Sequence, residues 1–368
     1  MTFRLHALIA VLLLPAVISA QTPPAAAKPK PSKPASAPVS HGLYPPMSTQ
    51  AKQRAEQIFE LFNNGQTGAL WASLTEGTRK TYGGEQKFVE RVKTIRENLG
   101  TESKMVAETV GPTMRSAGTI YSRLSEFSKT TQAQVITTVG INEQGQADTF
   151  LVGPERVPYQ GRFGGYKDQT RLKFPFSGEW FVDQGGRSMF LNGNYLSEDQ
   201  RYSLDFVLLK DGRMFAGDAS DNTQYYCFGQ PVLSPADGTV VQVEDGFLDN
   251  LPGRPARDSP RGNMVLISHG HSEFSLMDHL KQNSLKVKKG DKVKQGDVVA
   301  ECGNSGPSPV PHIHYQLQDS GGIPMPDSLP AQFVDYYADG KQVASGEPER
   351  GQMVSNTPPA NAPPAATK

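Results

Sequence analysis

The hydrophobic positions between residues 48 and 153 change period partway along. Ala55, Ile58, Phe59 and Phe62 recur at helical spacing, and so do Phe88, Val92, Ile95 and Leu99. Each set lines one face of a predicted helix, and both are read as core packing. Further on the period falls to two. Ile120, Ser122 and Leu124 alternate in one run, Val135, Thr137, Val139 and Ile141 in the next, and Gly145 turns the chain into a last strand at 147–152. Helices followed by an antiparallel sheet predict a small α+β domain over 47–155. It holds no paired acids and no His/Asp set, so it reads as an accessory or binding domain.

From residue 161 to 340 the pattern is β-rich, with Gly and Pro punctuation and few helical periods. Asp237-Gly238 is a hairpin signal that would join a strand at 231–233 to one at 239–243. Residues 263–267 and 273–276 read as the next pair. Residues 287–301 read as short strands broken by Gly290 and Gly296. Short strands at close intervals predict a mainly β domain, a compact antiparallel sheet or sandwich.

The ends have another character. Arg4 precedes an apolar run that closes on Ile18-Ser19-Ala20. Such a run is shorter than the roughly 20 residues that span a bilayer, so residues 1–20 read as a cleavable export signal. Residues 21–46 are rich in Pro, Ala, Lys and Ser and predict an extended linker, and 341–368 read as a disordered tail. No other stretch is apolar enough to span a membrane, and the expected location is the periplasm or the extracellular space. The formal net charge of the 368-residue chain is zero, which gives no electrostatic footprint for nucleic acid. Cys227 and Cys302 are the only cysteines. In an oxidising compartment they would form one disulfide; the alternative is two independent buried thiols.

Five of the seven histidines lie between His269 and His314. His312-Ile313-His314 is the sharpest group, because residues two apart on a strand point to one face and bring both imidazoles into one cleft. Such a pair binds a metal, or divides the work between a ligand and a proton carrier. Taken alone, His-x-His is more often two ordinary strand histidines. Here it is joined by Asp205, an acid inside a strand-like run, by His279 in Asp278-His279-Leu280, and by a Gly303-Asn304-Ser305-Gly306 loop.

In this order, together with Gly178-Glu179-Trp180, Gly185-Gly186, Gln200-Arg201-Tyr202, Pro231-Val232 and Pro235-Ala236-Asp237-Gly238-Thr239, the chain resembles the lysostaphin/LytM-type zinc endopeptidases over residues 178–318. The resemblance implies one Zn²⁺ per chain, held in part by Asp205 and His314. It gives His279 and His312 the proton handling and the stabilisation of the tetrahedral intermediate. The implied substrate is a peptide of peptidoglycan. The family's first ligand is a histidine, and no histidine occurs between His41 and His269. In the register of the Gln-Arg-Tyr form its place falls on Asn194, a neutral donor that suits zinc poorly; Glu198 or Asp199 would have to curl inward to replace it. Two readings follow: an active metalloendopeptidase, or a degenerate domain that binds wall peptide or regulates another wall hydrolase as its partner. The 47–155 pattern is similar to the nuclear-transport-factor-2-like fold.

Overall fold

Helix α1 (Thr49–Asn63) buries Ala55, Ile58, Phe59 and Phe62 completely, as their spacing predicts. The protein is described by a computed structural model covering residues 49–359 apart from 115, 131–132, 157–160, 257–258 and 323–325. The export signal at 1–20, the linker at 21–46 and the last residues of the tail lie outside the described residues. All described residues belong to one unit, Pro38–Lys368. Two short helices, α2 (Thr67–Ser73) and α3 (Glu76–Tyr82), lead to α4 (Glu85–Leu99), which buries Phe88 and Val92. A four-stranded antiparallel sheet follows in sequence order: β1 (Glu102–Pro112), β2 (Thr119–Phe127), β3 (Val135–Ile141) and β4 (Ala147–Pro154). β1 is the strand that the period-two pattern does not reveal, because Glu102 to Glu108 are all exposed or half-buried and none alternates into the core.

The second half is built on an eleven-stranded antiparallel sheet. Its centre runs β9 (Asn263–Gly270), β10 (Glu273–Leu280), β13 (Ile313–Gln318), β6 (Leu204–Val207) and β5 (Glu179–Gln184). The β9–β10 hairpin forms as expected, and its two loop residues, His271 and Ser272, both take positive φ (54° and 58°). That is the turn geometry whose twist matches paired strands. Alternation sorts the central strands cleanly. Trp180, Val182, Leu204, Phe206, Ile313 and Tyr315 enter one core. Phe181, Asp183, Asp205, Val207, His312 and His314 occupy the opposite face.

Two expectations are corrected. The strand at 231–233, β7 (Pro231–Leu233), does not pair with β8 (Gly238–Glu244). It joins β12 (Val298–Glu301) in a separate two-stranded sheet, while β8 pairs with β9 and with β11 (Lys292–Val293). The Asp237 carboxylate is engaged elsewhere, accepting from Gln295 N and Lys294 Nζ, so the Asp-Gly pair anchors the 294–297 segment instead of closing a hairpin. The segment read as a disordered tail from 341 is ordered in its first part: β15 (Phe333–Ala338) turns through Asp339 and Gly340, both at positive φ, into β16 (Lys341–Gly346). β17 (Met353–Ser355) then inserts between β5 and β15. The two halves also share a core. Val110, Tyr121 and Phe150 of the first half share one buried cluster with Phe181, Val207, Met214, Phe215, Tyr225, Val310 and Met353 of the second.

Among the described residues no helix is long and apolar enough to cross a membrane.

Candidate metal centre

Four adjacent strands place four polar residues in a row on the face opposite the main core. Asp278 of β10 is the direct partner of His314 on β13, and His314 that of Asp205 on β6. On the far side, the register between β6 and β5 slips by one residue: Val182 faces Phe206 and Gln184 faces Asp205, leaving Asp183 as the extra residue of a bulge. Bulges re-aim side chains in this way beside functional sites. His312 stands at the start of β13, on the same face as His314. All these residues, with His279 and Asn194, line one cleft of about 260 Å³ walled by Met114, Met214, Pro260, Pro307, Pro309 and Val310. Met114 comes from the β1–β2 connection, and its carbonyl lies 3.0 Å from the Tyr225 hydroxyl, so the first half supplies part of the wall.

The rings are held individually. His314 Nδ1–H donates to Asp205 Oδ1 at 2.7 Å. His312 Nδ1–H donates to the Val310 carbonyl at 2.8 Å, and its Nε2 lies 3.7 Å from Asp205 Oδ1. His279 Nδ1–H donates to the Ser305 carbonyl at 3.0 Å. A carbonyl partner fixes the tautomer, leaving the Nε2 lone pairs of His279 and His312 free. His279 also adopts φ 60°, a left-handed backbone for a non-glycine residue at the end of a strand. Such a conformation costs on the order of 1–3 kcal/mol and persists only where its surroundings enforce it.

Electrostatics follow from burial. Burial alone would raise the Asp205 carboxyl, but the charge of His312 and the hydrogen bond and charge of His314 outweigh it and hold the group at about 2. Burial alone would lower His314, yet its hydrogen bond to Asp205 and the charges of Asp205 and Asp278 leave it above the ordinary imidazole value. Burial, then the neighbouring His312 and His314, hold His279 well below that value. Asp183 and Asp278 are raised by burial, with Arg350 and Arg261 respectively opposing.

The donor set fits a divalent cation. One ring nitrogen from each of His279, His312 and His314 lies within 4.8 Å of the others, and Asp205 and His314 point donor atoms at one another. An imidazole and a carboxylate converging in a buried pocket are zinc-type donors.

Of the residues singled out from sequence, Asp205, His279, His312, His314 and Asn194 therefore meet in one cleft. Asn194 is partly occupied: its amide nitrogen lies 3.3 Å from Ser203 Oγ, and its backbone N–H donates to Asn192 Oδ1. Glu198 and Asp199 do not line this cleft; the Asp199 carboxylate accepts from Ser197 Oγ. No bond joins Cys227 and Cys302, the expected disulfide pair: both are buried free thiols whose side chains hydrogen-bond one another, and Cys227 Sγ lies 3.1 Å from the Pro311 carbonyl oxygen. His269 is structural, bound to the Asp237 carbonyl and Ser275 Oγ. The sequence reading missed Asp183 and Asp278. Their signal was a lone acid closing the apolar run Trp180-Phe181-Val182 in one case and an acid beside His279 in the other.

Residues 223–325 match Peptidase family M23. The matched span contains His279, His312 and His314 and begins after Asp205, Asn194 and Asp183. A 119-residue segment is 34% identical to the peptidoglycan DD-endopeptidase ShyA of Vibrio cholerae, covering 29% of this chain and 24% of that protein. A 93-residue segment is 33% identical to a lipoprotein NlpD/LppB homologue of Pseudomonas aeruginosa, covering 25% and 27%. The chain thus spans about a quarter of the length of these relatives. Among solved structures, the catalytic domain of the prophage-encoded M23 protein EnpA from Enterococcus faecalis aligns over 43% of this chain and 95% of its own, with 22% identity and a TM-score of 0.29.

Proposed function

We propose, from the premise that this chain carries a peptidase family M23 domain, that it is an exported zinc metalloendopeptidase cleaving peptide bonds in peptidoglycan. The observation that carries the reading is the convergence of Asp205 from β6, His279 from β10 and His312 and His314 from β13 and its start on one cleft. Asp205 and His314 would hold the ion. When bound, zinc polarises a carbonyl and brings the pKa of water towards neutrality.

The remaining work falls to the chain's own groups. A peptide entering the cleft meets a mostly apolar wall of Pro260, Pro307, Pro309, Val310 and two methionines, which excludes bulk water and strengthens the polar contacts within. The free Nε2 of His312 accepts the proton of the attacking water. The ring, tied to the Val310 carbonyl through Nδ1, cannot swing away as it charges. Once it holds that proton, His312 returns it to the departing amine nitrogen. His279, its Nδ1 tied to the Ser305 carbonyl, offers a second free Nε2 on the same side that orients the attacking water as a hydrogen-bond acceptor. Positioned proton transfer of this kind contributes about 10²–10⁴-fold.

One observation favours a second reading, a domain that binds wall peptide or regulates another hydrolase without cutting. Asn194 stands where the resembled family has its first histidine ligand. The test is release of peptide fragments from purified cell walls by the unmodified chain, by His314→Ala and by Asn194→His. Release by the unmodified chain that His314→Ala abolishes supports the peptidase. Release by Asn194→His alone supports the degenerate domain.

A further inference from the structure

The missing histidine poses a chemical question: what else in this cleft can complete a cation site? We infer that Asp183 takes that place, so that the ion is held by two carboxylates, Asp183 and Asp205, and one imidazole, His314. The inference rests on the peptidase reading for the site's location, but not for its chemistry.

Three observations carry it. The first is position. The β5–β6 bulge leaves Asp183 without a cross-strand partner opposite Asp205 and turns it onto the cleft face with Asp205 and His314. The second is burial without a hydrogen-bonded cation: Arg350, whose charge opposes that burial, makes no ion pair with Asp183 among the described residues. Asp183 is 6% exposed, and its hydrogen bond among the described residues is a long one, 3.4 Å from Gln184 Nε2. A buried carboxylate is retained when it is paired or binds metal, and no cation reaches hydrogen-bonding distance of this one among the described residues. The third lies across the row. Asp278, 3% exposed in the same cleft, pairs with Arg261 through Oδ2, while its Oδ1 has no hydrogen-bond partner among the described residues. An acceptor oxygen buried in the cleft without a donor, on the same face as a carboxylate with one long hydrogen bond, is what a divalent cation would satisfy. Asn194 is the weaker candidate, since its side chain is already engaged with Ser203 and its oxygen is neutral. A set of two carboxylates and one imidazole is harder than one with two imidazoles, so it tolerates Mn²⁺ better relative to Zn²⁺.

The experiment titrates Zn²⁺ and Mn²⁺ separately into the metal-free full chain by calorimetry, and records the melting temperature of the same metal-free samples. Asp183→Asn is expected to weaken both metals at least tenfold while melting no lower than the unmodified chain, because it removes a buried charge. Asn194→Ala is expected to change affinity less than twofold. Asp183→His is expected to keep zinc and to move the zinc-over-manganese preference upward at least tenfold. Affinity in Asp183→Asn within twofold of the unmodified chain overturns the assignment, as does a chain that takes up neither metal. Should Asp183→Asn fail to fold, an unchanged metal preference in Asp183→His does the same. Peptide release from walls is scored independently: release with an Asp183-independent metal sinks only this inference, and an Asp183-dependent metal without release sinks only the peptidase.

Discussion

Asp205 and His314 are direct cross-strand partners on β6 and β13, and the Nδ1–H of His314 donates to Asp205 Oδ1 at 2.7 Å. Both belong to the buried floor of the cleft, where the interaction is only weakly screened. The pair therefore has two roles that mutation can separate: it holds the apo floor together, and in the proposed enzyme both partners turn to the ion.

Removing one partner leaves the other buried and uncompensated. Asp205→Asn and His314→Ala are each expected to destabilise the metal-free protein by about 3 kcal/mol. The double variant should lose less than the sum, a coupling on the order of 1–3 kcal/mol in urea melts. Both single variants should lose wall-peptide release by at least about 10²-fold. Additive stability effects would show that the two side chains do not depend on each other.

Asn194→His places an imidazole where the cleft now has an amide. It is expected to raise zinc retention after exhaustive dialysis, read as moles of zinc per mole of chain, because imidazole is the better zinc donor. Equal retention in the unmodified chain and the variant would mean that position 194 does not face the ion.

Much of this was legible in the chain itself. The helical period located α1 and α4, whose buried side chains fall on one face, and the two-residue period located β3, where Val135, Thr137, Val139 and Ile141 are all buried. In β2 both faces are buried: Ser122 and Leu124 on the face the alternation picks out, Tyr121 and Phe127 on the other. The His312-x-His314 pair was legible because strand geometry alone brings both rings to one face, whereas Asp205 and His279 were legible through the family resemblance. What escaped depends on contacts distant in sequence. Asp183 faces the cleft through a one-residue register slip, which no periodicity encodes. The β7–β12 pairing joins residues more than sixty apart in preference to a neighbouring strand. β16 is polar and at a sheet edge, so its residues look like tail. Its signal was the Asp339-Gly340 turn.

The two halves are expected to melt together. Phe181 of β5 is 2% exposed in the cluster shared with the first half, and a Cβ on Gly111 of β1 would lie 3.5 Å from its ring. Phe181→Ala should cost about 3–5 kcal/mol and lower a single calorimetric transition without splitting it. Two resolved transitions in the unmodified chain would contradict a shared core.

Gly262 and Gly306 press backbone to backbone, both at φ 68°; a Cβ on Gly262 would lie 2.6 Å from the Ser305 carbonyl carbon. The Ser305 carbonyl is what holds His279 Nδ1. Gly262→Ala is therefore expected to lower stability by about 1–3 kcal/mol through the strained φ and the clash. It should also reduce peptide release about tenfold or more through the misplaced imidazole. Stability loss with unchanged release would separate this loop from the orientation of His279.

Asp168 gives a pH prediction away from the cleft's ligands. Burial first, then the charges of Glu273 and Glu347, push its carboxyl up to about 7 against the opposing Gln332 N–H, and its Oδ1 has no hydrogen-bond partner among the described residues. An unfolded aspartate titrates near about 3.9. Between these values the folded chain keeps a proton that the unfolded chain has released. Stability from this group is therefore full at low pH and falls as pH rises towards about 7. Asp168→Asn removes the titration. It should match the unmodified chain near pH 4 and exceed it at pH 8 by on the order of 1–2 kcal/mol, after allowance for partial solvent screening. In a protein of this size that is a rise in melting temperature of roughly 2–6 °C. Other acids titrate alike in both proteins, so the difference between the two stability curves isolates this carboxyl. A difference that does not change between pH 4 and pH 8 would mean that Asp168 is ionised throughout, held by a cation that its contacts do not include.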